Sequence, residues 1–396
     1  MTTNTKIFLI IYLATLIGML YYNLAHPPVN DGVKEYETFL LNLDHGWEYR
    51  RTLVNSSLIT TWLPAMVARY IGLDAMTMFR ITPPIFYALT PAFTYLIARR
   101  YLDIQYAVVS SLVVIANSHI LFFPDIGRVG VGIAFFAGVI WALLNKRLWW
   151  AIGFALLVVV SHYGTALIAM GAAFAGWAGY LLWKRRLIKQ YLIMFCVLVI
   201  SIGVWHFWIA SYSGWVMLTY GTQVEMPAMT GDTVGPQTMN PEVWLDPEAR
   251  EPAVQNALGI GIDSIPKLIE VLVNWVVVGL TTLGLWVFLR IKTVENIAKL
   301  IALSLWVLII FTVAVPWLSQ FYGGMRVYFT VLPILAICFP LGAQKVSGWV
   351  RVRPLVLCGI VLTMFALSTS GIVYRPFGME KTIPVYWSIE SLDGGK

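Results

Sequence analysis

Residues 148–186 read LWWAIGFALLVVVSHYGTALIAMGAAFAGWAGYLLWKRR. The fold depends on whether this stretch crosses a bilayer once or twice. As a single tilted helix over Leu148–Trp183, it would place Lys184, Arg185 and Arg186 outside and invert every later loop. As two spans broken at Ser161-His162-Tyr163-Gly164-Thr165, it returns those cations to the cytoplasm and keeps one charge bias along the chain. At about 1.5 Å per residue, the first of the two spans is short for a bilayer of about 30 Å. Short spans are tolerated where protein surrounds them or the bilayer thins. We read two spans.

Working outward, a first apolar run at Lys6–Leu24 has no small-residue cleavage site after it and reads as a retained span. Further runs cover 82–98, 106–123, 129–144, 190–211, 268–289, 298–315, 327–343 and 354–372, which makes eleven spans in all. The composition agrees: 59% of the 396 residues are hydrophobic and 12% charged, about half the charged fraction of a soluble domain. With the N-terminus inside, alternate loops hold Arg99-Arg100, Lys146-Arg147, Lys184 to Arg186, Arg290 with Lys292, and Arg351 with Arg353. The other loops collect most of the acids, from Asp31, Glu35 and Glu37 to Asp263. That asymmetry orients the protein in the membrane with its N-terminus inside and its C-terminus outside. The net charge of +7 forms no basic stripe, so no nucleic-acid partner is expected. Cys196, Cys338 and Cys358 all lie in apolar runs and read as small core residues.

Two outer segments are longer than connectors need to be. In the first, 26–81, Val33, Tyr36, Leu40 and Leu43 recur at helical spacing behind Asp31, and Leu58–Ile71 reads as an interfacial helix. The second, 211–267, is acidic and rich in Pro, Gly and Met; it reads as a mobile lid or as the docking surface for a partner protein.

Motif absences narrow the chemistry. There is no GxxxxGK[ST], no strand-linked GxGxxG, no HExxH and no CxxC. No Asp, Glu, Lys or Arg lies deep within a span, and His206 is the one ionisable group well inside. Ion-coupled transport usually places charge near mid-membrane, so a lipid or solute transporter is the weaker reading. What remains is a ring of polar residues at the outer ends of separate spans: Asp31 and Glu35, Asp125 and Arg128, His162 and Tyr163, then Tyr322, Arg326 and Tyr328. Each has a plain reading. An Arg at a span end snorkels to headgroups, a His in a kink is a satisfied hydrogen-bonding group, and paired acids form a solvated face. Their gathering on one side favours a site.

The order of these parts resembles the GT-C superfamily of polytopic glycosyltransferases, and more narrowly a largely archaeal family of prokaryotic membrane proteins related to it. The resemblance rests on Asp31-Gly32-Val33-Lys34-Glu35-Tyr36-Glu37, on Asn55–Leu63, on Ser161 to Thr165, and on Arg326-Val327-Tyr328 with Pro333 behind. It departs from the superfamily where adjacent acids are common, since Gly32 follows Asp31. It implies an all-α, GT-C-like bundle over 1–373 with helical outer loops and a short outer tail, 374–396. It also implies transfer of a sugar from a polyprenyl-phosphate-linked donor to an acceptor at the outer face. In that reading Asp31 is the general base and Glu35 orients it or the acceptor. Arg128 and Arg326 bind the donor phosphate, helped by His162 or Tyr163, with Asp125, Tyr322 and Tyr328 as further candidates. Besides the donor, membrane lipids are expected partners. No nucleotide cofactor is implied, and divalent-metal use is left open. The alternative from another class is a non-catalytic subunit that keeps the scaffold to bind a lipid or a partner chain.

Overall fold

The computed structural model describes residues 2–25, 28, 31–47, 54–117, 127–210, 254–255, 258–260, 262–315 and 324–377, with Asp31 described as backbone only. Asp125, Tyr322, most of the 211–267 segment and most of the tail lie outside the described residues. Among the described residues, fifteen α-helices run in the order α1 (Thr3–Ala25), α2 (Asp31–His45), α3 (Trp62–Ile71), α4 (Ala75–Tyr87), α5 (Leu89–Ala98), α6 (Ile104–Ala116), α7 (Gly127–Leu144) and α8 (Leu148–Ser161). They continue with α9 (Tyr163–Lys184), α10 (Lys189–Val204), α11 (Ile265–Arg290), α12 (Asn296–Ala314), α13 (Gly324–Leu335), α14 (Cys338–Val350) and α15 (Pro354–Thr369). A π turn, Trp205–Ile209, extends α10. Among the described residues there is no strand.

This is the expected all-α polytopic architecture. Every apolar run read from the sequence contains helix among the described residues, but length and composition qualify seven helices as full crossings. The pair α13 and α14, bent by 69°, would make an eighth, and α6, α8 and α15 are shorter apolar helices. Eleven full crossings are therefore not established. Pro333 and Pro340 flank the bend that interrupts the 327–343 run, as prolines within helices tend to do.

Helix α7 is the axis. It is apolar on all sides and every residue except Trp141 is buried, the pattern of a helix enclosed by others. It packs against α4, α5, α8, α9 and α13. Short α8 meets α7, α9 and α10, and its exposed Trp149 and Trp150 stand at one end, where an aromatic belt would form. The first outer segment is helical as expected. Helices α2, α3 and α4 share a small core of Tyr36, Phe39, Ala65, Ala68, Met78 and Phe79. The second helix of that segment starts only at Trp62, and Leu58 has another task.

Contacts between loops divide the bundle into two ends. At one, Arg100 bridges Glu295 and donates to Asn145 Oδ1 at 3.4 Å, and the Tyr101 hydroxyl donates to Glu295 at 3.0 Å. At the other, Glu35 meets Arg128 and Ser57 meets Ser161. The break at Ser161–Thr165 thus lies at the end opposite Asn145, as two spans require. With the native cysteines replaced, Arg147→Cys and Arg186→Cys should label with an impermeant reagent from one side of the membrane and Lys34→Cys from the other. Labelling of Arg147→Cys and Arg186→Cys from opposite sides would restore a single 148–183 helix.

The closest helix contact joins α11 and α14. A Cβ added to Gly284 would overlap the Cys338 carbonyl oxygen, and one added to Gly342 would overlap the Leu280 carbonyl oxygen. The two backbones touch, as small residues permit between membrane helices. Gly284→Ala should therefore destabilise the protein by about 1–3 kcal/mol, because rigid backbone must move. Gly279→Ala on the same helix is the control, since nothing lies within 4 Å of its added Cβ. Equal thermal unfolding of the two variants in detergent would refute the contact.

Candidate active site

The first turn of any helix leaves backbone N–H groups without intrahelical acceptors. At α7 one acceptor is Glu35, brought over on α2. Arg128 N donates to its two carboxylate oxygens at 3.2 and 3.4 Å, and Arg128 Nε stands 3.3 Å from Oε1. The side chains are 1% (Glu35) and 7% (Arg128) exposed. An anion at a helix N-terminus is favoured by the helix dipole as well as by the cation. Gly127 makes room, because a Cβ there would stand 2.8 Å from Glu35 Oε2. Two sequence readings change as a result. Glu35 is engaged by Arg128, and Arg128 does not snorkel to headgroups but turns into the protein.

The break between α8 and α9 is built with equal care. The last four carbonyls of α8 need donors from elsewhere, and each has one. Val158 O accepts from His162 N at 3.0 Å, Val159 O pairs with His206 Nε2 at 3.1 Å, Val160 O accepts from Leu58 N at 2.9 Å, and Ser161 O accepts from Ser57 Oγ at 2.7 Å. The first outer segment therefore plugs the break with Asn55 to Thr61, all buried except the half-buried Leu58. Trp205 Nε1 and Trp47 Nε1 hold the plug by donating to Ser56 O and Asn55 O at 3.1 and 3.3 Å. His206, which the sequence places well within a span, is thus a helix cap.

His162 closes the other side. Its Nδ1 accepts from Thr165 N at 3.1 Å and lies 2.9 Å from Thr165 Oγ1, capping the start of α9. With Nδ1 accepting, the ring proton resides on Nε2. Burial pushes the His162 pKa well down, and the nearby positive charges of Arg128 and Arg326 add to the effect. The imidazole is neutral, and its Nε2–H is a donor.

The structure thus brings Glu35, Arg128, His162 and Arg326 together from α2, α7, the α8–α9 break and α13. Arg128 and Arg326 each lie in the first turn of their helix, so the N-termini of α7, α9 and α13 add positive potential to two guanidinium groups. Tyr163 stacks obliquely on His162 with ring centroids 4.9 Å apart. Tyr328, half buried, lies two residues into α13 from Arg326. Asp31 opens α2 one turn before Glu35. Among the described residues no three His, Cys, Asp or Glu side chains form a metal-ligand set. Sequence reasoning missed Ser57, Leu58, Trp205 and the capping role of His206. The signal available was the short α8, whose carbonyls had to find donors.

No family model matches the chain, and no curated protein does. Among solved structures, the chain is similar to the arabinofuranosyltransferase AftD from mycobacteria, with a TM-score of 0.51 at 11% identity over 93% of this chain. The two share a fold. The chain spans 27% of the length of AftD. A weaker likeness, to the oligosaccharyltransferase of Archaeoglobus fulgidus, has a TM-score of 0.48 at 10% identity and covers 92% of this chain and 56% of that one.

Proposed function

We propose that this protein is a membrane glycosyltransferase that moves a sugar from a polyprenyl-phosphate-linked donor to an acceptor at the non-cytoplasmic face. The observation that carries this reading is the buried Glu35–Arg128 pair, set among three helix N-termini beside Arg326. Such a concentration of positive potential suits a phosphate that gains charge as it leaves. The positive-inside bias assigns the Arg100–Glu295 end to the cytoplasm and this end to the outside. The fold shared with that arabinofuranosyltransferase agrees with the reading.

In the proposed reaction an acceptor hydroxyl attacks the anomeric carbon, the bond from that carbon to the phosphate oxygen breaks, and the lipid phosphate departs with the bonding electrons. Asp31 takes the hydroxyl proton. Glu35, 3.3 Å from Arg128 Nε, holds the guanidinium by charge where it meets the phosphate. Arg326 contacts the same phosphate from α13, and the Nε2–H of His162 donates to it. Arg128→Lys and Arg326→Lys keep the charge and lose the planar fork. Each should slow transfer from a radiolabelled polyprenyl-phosphate sugar by about tenfold or more. Near-normal turnover in both would take phosphate binding away from these residues.

A further inference from the structure

Among the described residues, three other than glycine have positive φ: Lys146 at 58°, Arg185 at 51° and Arg351 at 56°. All three are basic, and each stands just past the end of a helix, α7, α9 or α14. They share one end of the bundle, that of Arg100 and Glu295. Asn145, beside Lys146, accepts from Arg100. Helix α9 starts at the break, at the far end, and so finishes here. Helix α15, which follows Arg351, packs along α6, and at its close Thr369 Oγ1 donates to Ala116 O at 2.9 Å. The two helices therefore end together and begin together, with Arg351 at the Arg100 end.

The left-handed region strains any residue that carries a Cβ, and glycine is the ordinary occupant of this helix-ending position. At α7 the motif is complete: Arg147 N donates to Ala142 O at 2.9 Å and Lys146 N to Leu143 O at 3.0 Å. Helix polarity alone does not account for the cations. A positive charge is favoured near any helix C-terminus, but Arg147, Arg186 and Arg353 supply one from neighbouring positions. Glycine at 146, 185 and 351 would then relieve the strain. Pairing within the chain does not account for them either. The three side chains are exposed, and among the described residues none has an ion pair or a side-chain hydrogen bond.

What each does have is an exposed tryptophan close by in the chain. Trp149 and Trp150 follow Lys146, Trp183 precedes Arg185, and Trp349 precedes Arg351. Exposed tryptophan rings lie where hydrocarbon meets headgroups, so the neighbouring cation stands at the level of the lipid phosphates. The turns at 99–103, 145–147, 184–189, 290–295 and 351–353 contain only two acids, Asp103 and Glu295, and Arg100 already holds Glu295.

We infer that Lys146, Arg185 and Arg351 each hold the phosphate of an anionic phospholipid in the leaflet at this end, with the adjacent tryptophan against the upper part of its acyl chains. Backbone strain persists at positions where it has a use, and here the use is a cation set past the helix end, facing a partner outside the chain. The inference is independent of the chemistry at Glu35 and Arg128.

The test is native mass spectrometry of the full chain in mild detergent with equal amounts of phosphatidylglycerol and phosphatidylcholine. The unchanged protein should retain phosphatidylglycerol in preference by at least about fivefold. Lys146→Gly, Arg185→Gly and Arg351→Gly should each reduce the retained phosphatidylglycerol, and the triple variant should hold the two lipids equally. Unfolding temperatures in lipid-free detergent should stay level or rise, because glycine takes positive φ without strain. Arg185→Lys and Arg351→Lys keep the charge and should keep the preference. Equal retention of the two lipids by the unchanged protein overturns the inference, as does a preference that survives the triple substitution. Displacement of phosphatidylglycerol by inorganic phosphate overturns it too, since that would mark a site for a soluble phosphate ester. So does a triple variant that unfolds at lower temperature in lipid-free detergent, which would make the three cations structural caps.

Discussion

Asp31→Asn should leave a folded protein that binds donor and has lost transfer by at least about a hundredfold, the lower range of what a positioned base contributes. Asn satisfies the start of a helix about as well as Asp, so the change removes basicity rather than local order. The neighbouring acid is committed elsewhere. Glu35 accepts from the Arg128 backbone and lies against its guanidinium; contacts of that kind favour the charged form and weaken a carboxylate as a base. Asp31 precedes it by one helical turn on the same face of α2, on a helix held by its packing against α3 and α4. The measurement is single-turnover transfer from a labelled donor alongside donor binding. Retained transfer in Asp31→Asn with loss in Glu35→Gln would move the base to Glu35. Retention in both would take catalysis away from α2 altogether.

Glu35→Gln should destabilise the protein by about 3–5 kcal/mol, the usual cost of stranding one member of a buried ion pair. The two partners should not be equivalent. Arg128→Met leaves a carboxyl that can take up a proton and become neutral, whereas Glu35→Gln leaves a guanidinium that stays charged in proteins. We expect Arg128→Met to cost less than Glu35→Gln. The double variant Glu35→Gln/Arg128→Met should recover much of the stability and none of the transfer. Unfolding of all four proteins in detergent forms a double-mutant cycle. Additive losses would show that the two side chains do not interact.

Much of the architecture was legible because hydropathy and Lys/Arg placement are local properties of a membrane chain. They located the helices, the break at Ser161–Thr165 and the common end of Glu35, Arg128, His162 and Arg326. Partnership was not local and stayed hidden. Glu35 and Arg128 are 93 positions apart, and nothing in either segment names the other. Spacing along α2 set Asp31 one turn from Glu35, and tertiary packing adds a cation, Arg128, that spacing could not show. The plain reading of a kink histidine was right about His162 as a hydrogen-bonding cap, and incomplete, because two arginines lie near the same ring. The crossing count was read from apolar length, which cannot reveal a 69° bend within one run.

The plug of Asn55 to Thr61 has a consequence for biosynthesis. Ser57 meets a residue 104 positions later, and Ser56 meets Trp205, 149 positions later. During translation the ribosome has finished α2 and α3 long before α8 exists, and it has finished α8 before His206 can reach Val159. The end of α8 therefore enters the bilayer with the Val159 carbonyl open and the plug not yet held by Trp205, and a carbonyl left dry is costly. A nascent chain stalled before Trp205 should hold its α8–α9 hairpin only loosely inserted, and firm integration should come in one step when α10 emerges.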